Sequence, residues 1–287
     1  MNNLKLSIVL FITSILIFSS CKENTRSEKK DVLDSTKVET IAEGQKNDSK
    51  KLEMILYATS FPNYMNLVLK NKEALNIDSD QDKKLTEIKN KRSDKVYALA
   101  LEIKDVDKSI YMMSMKNKNK DTLLNNLEKS LNLRASLAEM KIDCRDGVLE
   151  ILTEDQWKSL LDLYLKKMPF NNKEETMVLM KHVNPVPNYM QLIKGVDINL
   201  NEEQKEKISQ WSKDHQPTMI DLAKKVNAIE KTLYELSMKK ESKESLLNNF
   251  KQIGDLKEQI VSIKTTCRDN LINNVLTEDQ WKTLVSK

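Results

Sequence analysis

Apolar side chains recur at helical spacing in two long stretches of the chain. They step by three and four residues from Leu85 to Met113, and again from Ile208 to Leu236. Such steps place the side chains along one face of an α-helix. We therefore predict a long helix in each stretch. The second helix is expected to bend or break at Pro217, because proline removes a backbone donor.

A second apolar series follows each long helix. One series runs from Leu123 to Cys144 and the other from Leu246 to Cys267. The connections before them, Lys116–Lys120 and Lys239–Glu241, are short and polar. Short connections place consecutive helices antiparallel. The pattern predicts an all-α fold with two long helical hairpins, each with short flanking helices.

The two hairpins belong to an internal repeat. The heptapeptide LTEDQWK stands at Leu152–Lys158 and again at Leu276–Lys282. Four further motifs recur: Cys-Arg-Asp from Cys144 and Cys267, Leu-Leu-Asn-Asn from Leu123 and Leu246, Ser-Met-Lys from Ser114 and Ser237, and Pro-Asn-Tyr-Met from Pro62 and Pro187. The middle matches are 123 residues apart and the outer ones differ by one or two. We place the tandem units at residues 51–168 and 169–287.

The first 20 residues are predicted to be a lipoprotein signal peptide. Lys5 precedes the apolar run Leu6–Phe18, and two serines come before Cys21. A charged start, a short apolar core and small residues at the cleavage site are typical of an export signal. Lipidation of Cys21 would then anchor the chain to a membrane. The alternative is a membrane-anchor helix, although the apolar run is shorter than the roughly 18–20 residues that span a bilayer.

Residues 21–50 are predicted to be the lipid anchor and a disordered linker, because few apolar side chains are available to offset the entropy of ordering. The location predicted from these features is the bacterial cell envelope, on the periplasmic side of the outer membrane. Lys22 and Glu23 resemble the charged signals that send some lipoproteins to the outer cell surface, so that location stays open.

Composition excludes several classes of protein. The 287 residues include only 4 glycines and 5 prolines, too few for the turns of an all-β fold or for a glycine-rich phosphate loop. A net charge of +4 from 47 basic and 43 acidic residues is not the strongly basic balance of a nucleic-acid-binding protein. Two histidines and three cysteines offer no conventional metal cluster. We identify no nucleophile and base that could form a catalytic site, and we predict neither an enzyme nor a cofactor.

The LTEDQ segments have the pattern of helix caps. Thr153 and Gln156 are three residues apart, as are Thr277 and Gln280, which is the spacing of a capping box. Weaker boxes, Asp78 with Gln81 and Asn201 with Gln204, precede the long helices. We interpret the motif as structural, with no bond-making chemistry.

The placement of these motifs resembles the Spy/CpxP family of LTxxQ proteins. Leu152–Gln156 and Leu276–Gln280 match the motif in full, whereas Ile77–Gln81 and Leu200–Gln204 lack its threonine. The resemblance covers residues 70–287 and implies long helical hairpins that pair into a curved cradle. It also implies an ATP-independent chaperone or envelope-stress protein, and some relatives bind or sense metals. Since the family usually pairs two identical chains, we hypothesise that the tandem units pair within one monomer as a pseudo-dimer.

Methionines and lysines near the helix ends suggest a surface that binds unfolded or misfolded envelope proteins. Unbranched, polarizable side chains suit a surface that accepts many partners. The predicted client-binding residues combine such side chains with tyrosines and lysines: Tyr111, Met112, Met115, Lys116, Tyr234, Met238 and Lys239. The alternative is that some of them complete a helical core, which we favour for Met113.

The cysteines and histidines leave further alternatives open. Cys144 and Cys267 are expected to be buried in separate units, although an oxidising compartment would allow a disulfide between them. His182 and His215 form no ligand-spaced pair, and His215 is expected to fill a polar step of its helix. The alternatives to a chaperone are a lipoprotein that senses metal or binds a signalling partner, and a structural or adhesive lipoprotein.

Overall fold

The regular elements are helical throughout the part of the chain that the structure covers. The computed structural model describes residues 50–59, 61–117, 119–165 and 185–286. The predicted all-α class is confirmed. The elements are, in order, a helical segment 50–58, α1 (Tyr64–Lys70), α2 (Ser79–Met115), α3 (Lys120–Ile151), α4 (Glu154–Leu165), α5 (Tyr189–Gly195), α6 (Glu202–Met238), α7 (Lys243–Asn270), a π-helical turn (Leu271–Val275) and α8 (Glu278–Val285). The predicted signal peptide, Cys21, the linker up to residue 49 and His182 lie outside the described residues.

The long helices α2 and α3 are antiparallel neighbours, and so are α6 and α7. Gln81 in the first turn of α2 donates a hydrogen bond to the carbonyl of Ile151, the last residue of α3. Gln204 in the first turn of α6 likewise donates to the carbonyl of Val275, just after α7. The sequence predicted a bend or a break at Pro217; helix α6 continues through this residue, so it does not break there.

The two inner helices, α3 and α7, also pack against each other in antiparallel directions. Leu131 of α3 meets Gly254 of α7, where an added Cβ would lie 3.6 Å from the Leu131 Cδ1 atom. These two residues are 123 apart, so equivalent positions of the two repeats meet where the inner helices cross. Such self-matching contacts are what a two-fold axis produces between identical subunits.

This second contact explains why the inner helices are more buried than one apolar face predicts. The sequence pattern gave α3 a single buried face that includes Ser130 and Leu137. The structure also buries Ala138 and Ile142, which lie outside that face and pack against residues of the second repeat. They are buried because α3 has a neighbour on two sides, and sequence periodicity within one hairpin carries no information about the second neighbour.

The cores of the two repeats are therefore shared. One apolar cluster joins Ile110 and Leu127 of the first repeat to Val261 and Leu271 of the second. By their contacts, the described residues belong to one compact unit. No helix among the described residues is long and apolar enough to cross a lipid bilayer.

The π-helical turn accounts for the change in repeat spacing. Cys144 and Cys267 are 123 residues apart, whereas Leu152 and Leu276 are 124 apart, so the second repeat holds one additional residue between them. The turn Leu271–Val275 lies in that interval. A π-helical turn accommodates an extra residue while the helices on either side keep their packing.

Candidate functional site

The repeated glutamines meet as pairs that join the start of each long helix to the short helix at the far end of its hairpin. Gln81 and Gln156 exchange two hydrogen bonds between their amides, at 2.8 and 2.9 Å. Each amide oxygen also accepts the backbone N–H of its own cap, from Asp78 at 3.2 Å and from Thr153 at 2.9 Å. The remaining donors reach backbone carbonyls, including that of Asn76 at 3.1 Å.

The second repeat has the same pair of hydrogen-bonded glutamines. Gln204 and Gln280 exchange amide hydrogen bonds at 2.8 and 3.1 Å. Both hydrogen bonds of the capping box are present at Thr277 and at Asn201. Capping alone explains why a glutamine stands third in the helix. The structure also shows that the early and the late copy of the motif in each repeat contact each other through these glutamines. Sequence spacing could not show this contact.

Three of the other repeated motifs meet where the two repeats touch. The buried guanidinium of Arg145 donates to the carbonyl of Ser237 at 3.5 Å and to that of Glu241 at 2.9 Å. In the reciprocal contact, the guanidinium of Arg268 donates to the carbonyl of Ser114 at 3.4 Å. Residues 145 and 268, like 114 and 237, are 123 apart, so each repeat contributes the same residues to the other.

Tyrosines of the Pro-Asn-Tyr-Met motifs complete these two contacts. The hydroxyls of Tyr189 and Ser114 are hydrogen-bonded across the two repeats. Tyr64 faces Ser237 in the equivalent place. Burial raises the pKa of Tyr64 and of Tyr189 to about 12, which keeps both phenols neutral. The repeated motifs thus serve the packing of one repeat on the other.

The arginine–aspartate neighbours are more buried than the sequence suggested. Arg145 pairs with Asp146 and Arg268 with Asp269, both at 2.6 Å. Ion pairs at exposed helix ends contribute little to stability. The aspartates are partly exposed, but the arginine side chains are buried and bind carbonyls of the opposite repeat. Removing an arginine would leave those carbonyls without a donor.

A buried ion pair lies near the crossing of α3 and α7. Arg134 and Asp107 are 2.6 Å apart and nearly inaccessible. Asp107 also accepts hydrogen bonds from the hydroxyls of Tyr57 and Ser130, both at 2.6 Å. Arg134 donates to the carbonyl of Ala58 at 2.6 Å. Both charges therefore have the several polar partners that a buried ion pair requires.

The second repeat places Glu230 and Lys257 at the positions equivalent to Asp107 and Arg134. Burial lowers the pKa of Lys257 to about 8, the Arg134 charge acts in the same direction, and Glu230 and Asp107 oppose it. All four charges are thus close enough to interact. A register that separated them would leave buried charges without partners, which costs several kcal/mol each.

The predicted client-binding residues do not share one surface. Tyr111 and Met112 are exposed, at 39% and 44%, and Lys116 and Lys239 are exposed as well. Met115 and Tyr234 are core residues, each only 8% exposed. We therefore correct their assignment, because a side chain in the core cannot contact a client without unfolding.

Met238 is intermediate between the exposed and the buried members of this set. It is half-buried and packs against the cluster that contains Tyr64 and Trp157. The misassignment of Tyr234 has a clear physical reason, since its ring stacks on Tyr164 of α4 with the centroids 5.9 Å apart. The sequence of α6 alone does not show that α4 covers it.

One residue of the exposed surface was missed by sequence reasoning. Leu101 is 37% exposed and lies three helical turns before Met112 on the same face of α2. Lys104 and Lys108 are exposed between them. We call Leu101, Tyr111 and Met112 the α2 outer face. Comparing the repeats could have revealed it, because the second repeat has Lys224 and Glu235 at the positions of Leu101 and Met112.

Cys144 and Cys267 are free thiols in this structure. Arg145, next to Cys144, contacts the end of α6, whereas Arg268, next to Cys267, contacts the end of α2. The thiols therefore lie at opposite ends of the antiparallel α3–α7 pair, and the disulfide that the sequence left open does not form. Burial raises the pKa of Cys267 to about 12 and also raises that of Cys144.

His215 fills a polar step of α6, as the sequence indicated. Its ring stacks on that of Trp211 with the centroids 3.7 Å apart, and its Nδ1 lies 3.0 Å from the Trp211 carbonyl oxygen. Within the described ranges, no group of three or more His, Cys, Asp and Glu side chains is arranged to hold a metal ion.

Comparison with known proteins returned no match to any family model, any curated protein or any solved structure. The resemblance to the Spy/CpxP family therefore rests on the LTxxQ segments themselves and on the caps that they form.

Proposed function

We propose that this protein is an ATP-independent chaperone of the bacterial cell envelope, tethered by a lipid on Cys21, which binds unfolded polypeptide segments on the α2 outer face. The single observation that carries the proposal is the exposure of Leu101, Tyr111 and Met112 in a scaffold whose other repeat is polar at two of these positions. Single exposed apolar residues are ordinary. Several exposed apolar residues on one face are better explained by binding, because the second repeat carries charged residues at two of the equivalent positions.

Charge supports the same proposal. Lys104, Lys108 and Lys116 are exposed along or beside the α2 outer face, where they outnumber the exposed Asp105. Lysines next to apolar side chains would attract acidic unfolded segments and keep them near the apolar contacts. Such binding needs no reaction and no nucleotide. It also fits the resemblance to LTxxQ proteins, for which the pairing of two units would be supplied within this one chain as a pseudo-dimer.

The test is suppression of aggregation. Residues 22–287 are mixed with reduced α-lactalbumin at near equimolar ratio without nucleotide, and light scattering is followed. We expect suppression that weakens with added salt, because exposed charge interactions are screened. The double variant Leu101→Lys/Met112→Glu introduces the residues that the second repeat already carries, so it should remain folded and lose most of the suppression.

A matched control acts on the other repeat. Glu235→Gln changes the exposed position equivalent to Met112 and should leave suppression unchanged. Full suppression by the Leu101→Lys/Met112→Glu variant would remove the α2 outer face from the account. Failure of the wild-type chain to suppress aggregation of several clients would contradict the proposed function itself.

A further inference from the structure

Four aromatic rings form a continuous series where α1, α4 and α6 meet. The centroid of Tyr64 lies 5.1 Å from that of Trp157 and 5.6 Å from that of Tyr164. Tyr164, in the last turn of α4, then stacks on Tyr234 at 5.9 Å with an angle of 19° between the rings. These distances are those of favourable aromatic pairs. The last turn of α4 thus covers Tyr234, which is only 8% exposed.

The equivalent contact at the other end of the molecule has three of the four rings, two from the second repeat and one from the first. Trp281 and Tyr189 are paired at 5.9 Å, as Trp157 and Tyr64 are. The residue equivalent to Tyr234 is Tyr111, which is 39% exposed. Helix α8 has 8 residues against 12 in α4. No other ring of the described residues stacks on Tyr111.

We propose that Tyr111 and Met112 bind an aromatic side chain of a client segment, in the way that Tyr234 binds Tyr164 within the chain. This inference rests on the proposed client-binding function and names the class of segment that is bound. Because Tyr189 is already buried, the open surface consists of the Tyr111 ring and the neighbouring Met112 side chain. A methionine sulfur and an aromatic ring are both favourable contacts for an incoming ring.

The charges around this surface select the residues that flank the aromatic side chain. Lys104, Lys108 and Lys116 are exposed nearby and outnumber the exposed Asp105 on the same face. The occupant of the equivalent site carries Asp162 two residues before Tyr164. The favoured client segment is therefore acidic and contains an aromatic residue. A basic segment would be repelled.

The experiment measures binding of labelled peptides to residues 21–287 carrying Cys21→Ser, by fluorescence anisotropy at low salt. Three unstructured peptides of twelve residues are compared: an acidic peptide with one tyrosine, the same peptide with leucine in place of tyrosine, and a version with lysines in place of its acids. We expect the tyrosine peptide to bind about two- to tenfold more tightly than the leucine peptide, the range of one aromatic pair. The lysine peptide should bind most weakly.

Variants of the protein locate the effect. Tyr111→Leu should abolish the preference for the tyrosine peptide, whereas Tyr111→Phe keeps a ring and should retain it. Both changes are at an exposed position, and circular dichroism checks that the helices are intact. Equal binding of the tyrosine and leucine peptides would overturn this inference and leave the proposed function standing. Absence of binding by every peptide, with aggregation still suppressed, would also overturn only the inference. Absence of both peptide binding and suppression of aggregation would contradict this inference and the proposed function.

Discussion

Replacing Gln204 and Gln280 by alanine, singly and together, tests whether the repeated glutamines act as a pair. Gln204 is buried and donates to the carbonyl of Val275 at 2.7 Å. Gln280 donates to the carbonyl of Ile198 at 3.1 Å. Each amide also bonds to the other amide and to its own cap. Each single substitution therefore removes several hydrogen bonds and leaves the partner amide incomplete.

The expected magnitudes follow from these contacts. A net hydrogen bond contributes about 1 kcal/mol, and an orphaned buried group costs about 1–3 kcal/mol. We expect each single variant to lose about 2–4 kcal/mol of unfolding free energy. The double variant has no orphaned amide, so it should lose about 1–2 kcal/mol less than the sum of the single variants. This difference is the coupling free energy between Gln204 and Gln280.

The assay is urea unfolding followed by tryptophan fluorescence, with Trp281 directly after Gln280 in α8. The matched control combines Gln204→Ala with Gln156→Ala, which belongs to the other repeat and shares no hydrogen-bond partner with Gln204. That combination should be additive to within about 0.5 kcal/mol. Additivity of Gln204→Ala with Gln280→Ala would refute the pairing.

Three further results are expected. Gly254→Ala should raise the unfolding free energy by about 0.5–1 kcal/mol, because the added Cβ would lie at an ordinary contact distance of 3.6 Å from its neighbour. Gly147→Ala should raise the unfolding free energy less or lower it, because its Cβ would lie only 3.0 Å from a side chain. Urea titration compares the two variants. Burial lowers the pKa of Lys141 to about 8, so the folded chain binds fewer protons than the unfolded chain between about pH 8 and 10.5 and wild-type stability rises across that range. Lys141→Met should therefore stabilise most below pH 8, by about 3 kcal/mol, and the benefit should vanish above pH 10.5; equal benefit at both pH values would refute this. Among the described thiols of the native protein, half-buried Cys144 should react with a disulfide reagent before buried Cys267, which peptide mapping by mass spectrometry would show.

The sequence predicted those parts of the fold that depend on contacts close along the chain. Helical spacing located the four long helices, and the Thr-x-x-Gln spacing located the caps. The repeat even indicated where an extra residue had to be accommodated, although it did not indicate the π-helical turn that accommodates it. These features depend on residues within a few turns of one another.

Contacts between the repeats could not be predicted in the same way. Periodicity did not indicate that Arg145 and Arg268 donate to carbonyls of the opposite repeat. In the sequence, each arginine is simply a polar residue near a helix end. For the same reason Tyr234 was assigned to a surface although α4 covers it. In the candidate site, Tyr111 and Met112 are exposed as expected, while Leu101 was found only when exposure was compared between the repeats.

The most direct test of the central claim places a photo-crosslinking amino acid at Met112 and, in a second variant, at the equivalent Glu235. Both positions are exposed on the outer side of a long helix, so the two probes have similar access to solvent. Each variant is irradiated with an unfolded client and the crosslinked product is quantified. The account predicts crosslinking from position 112 well above that from position 235, reduced by an excess of the acidic tyrosine peptide. Equal crosslinking from the two positions, or none from position 112, would contradict it.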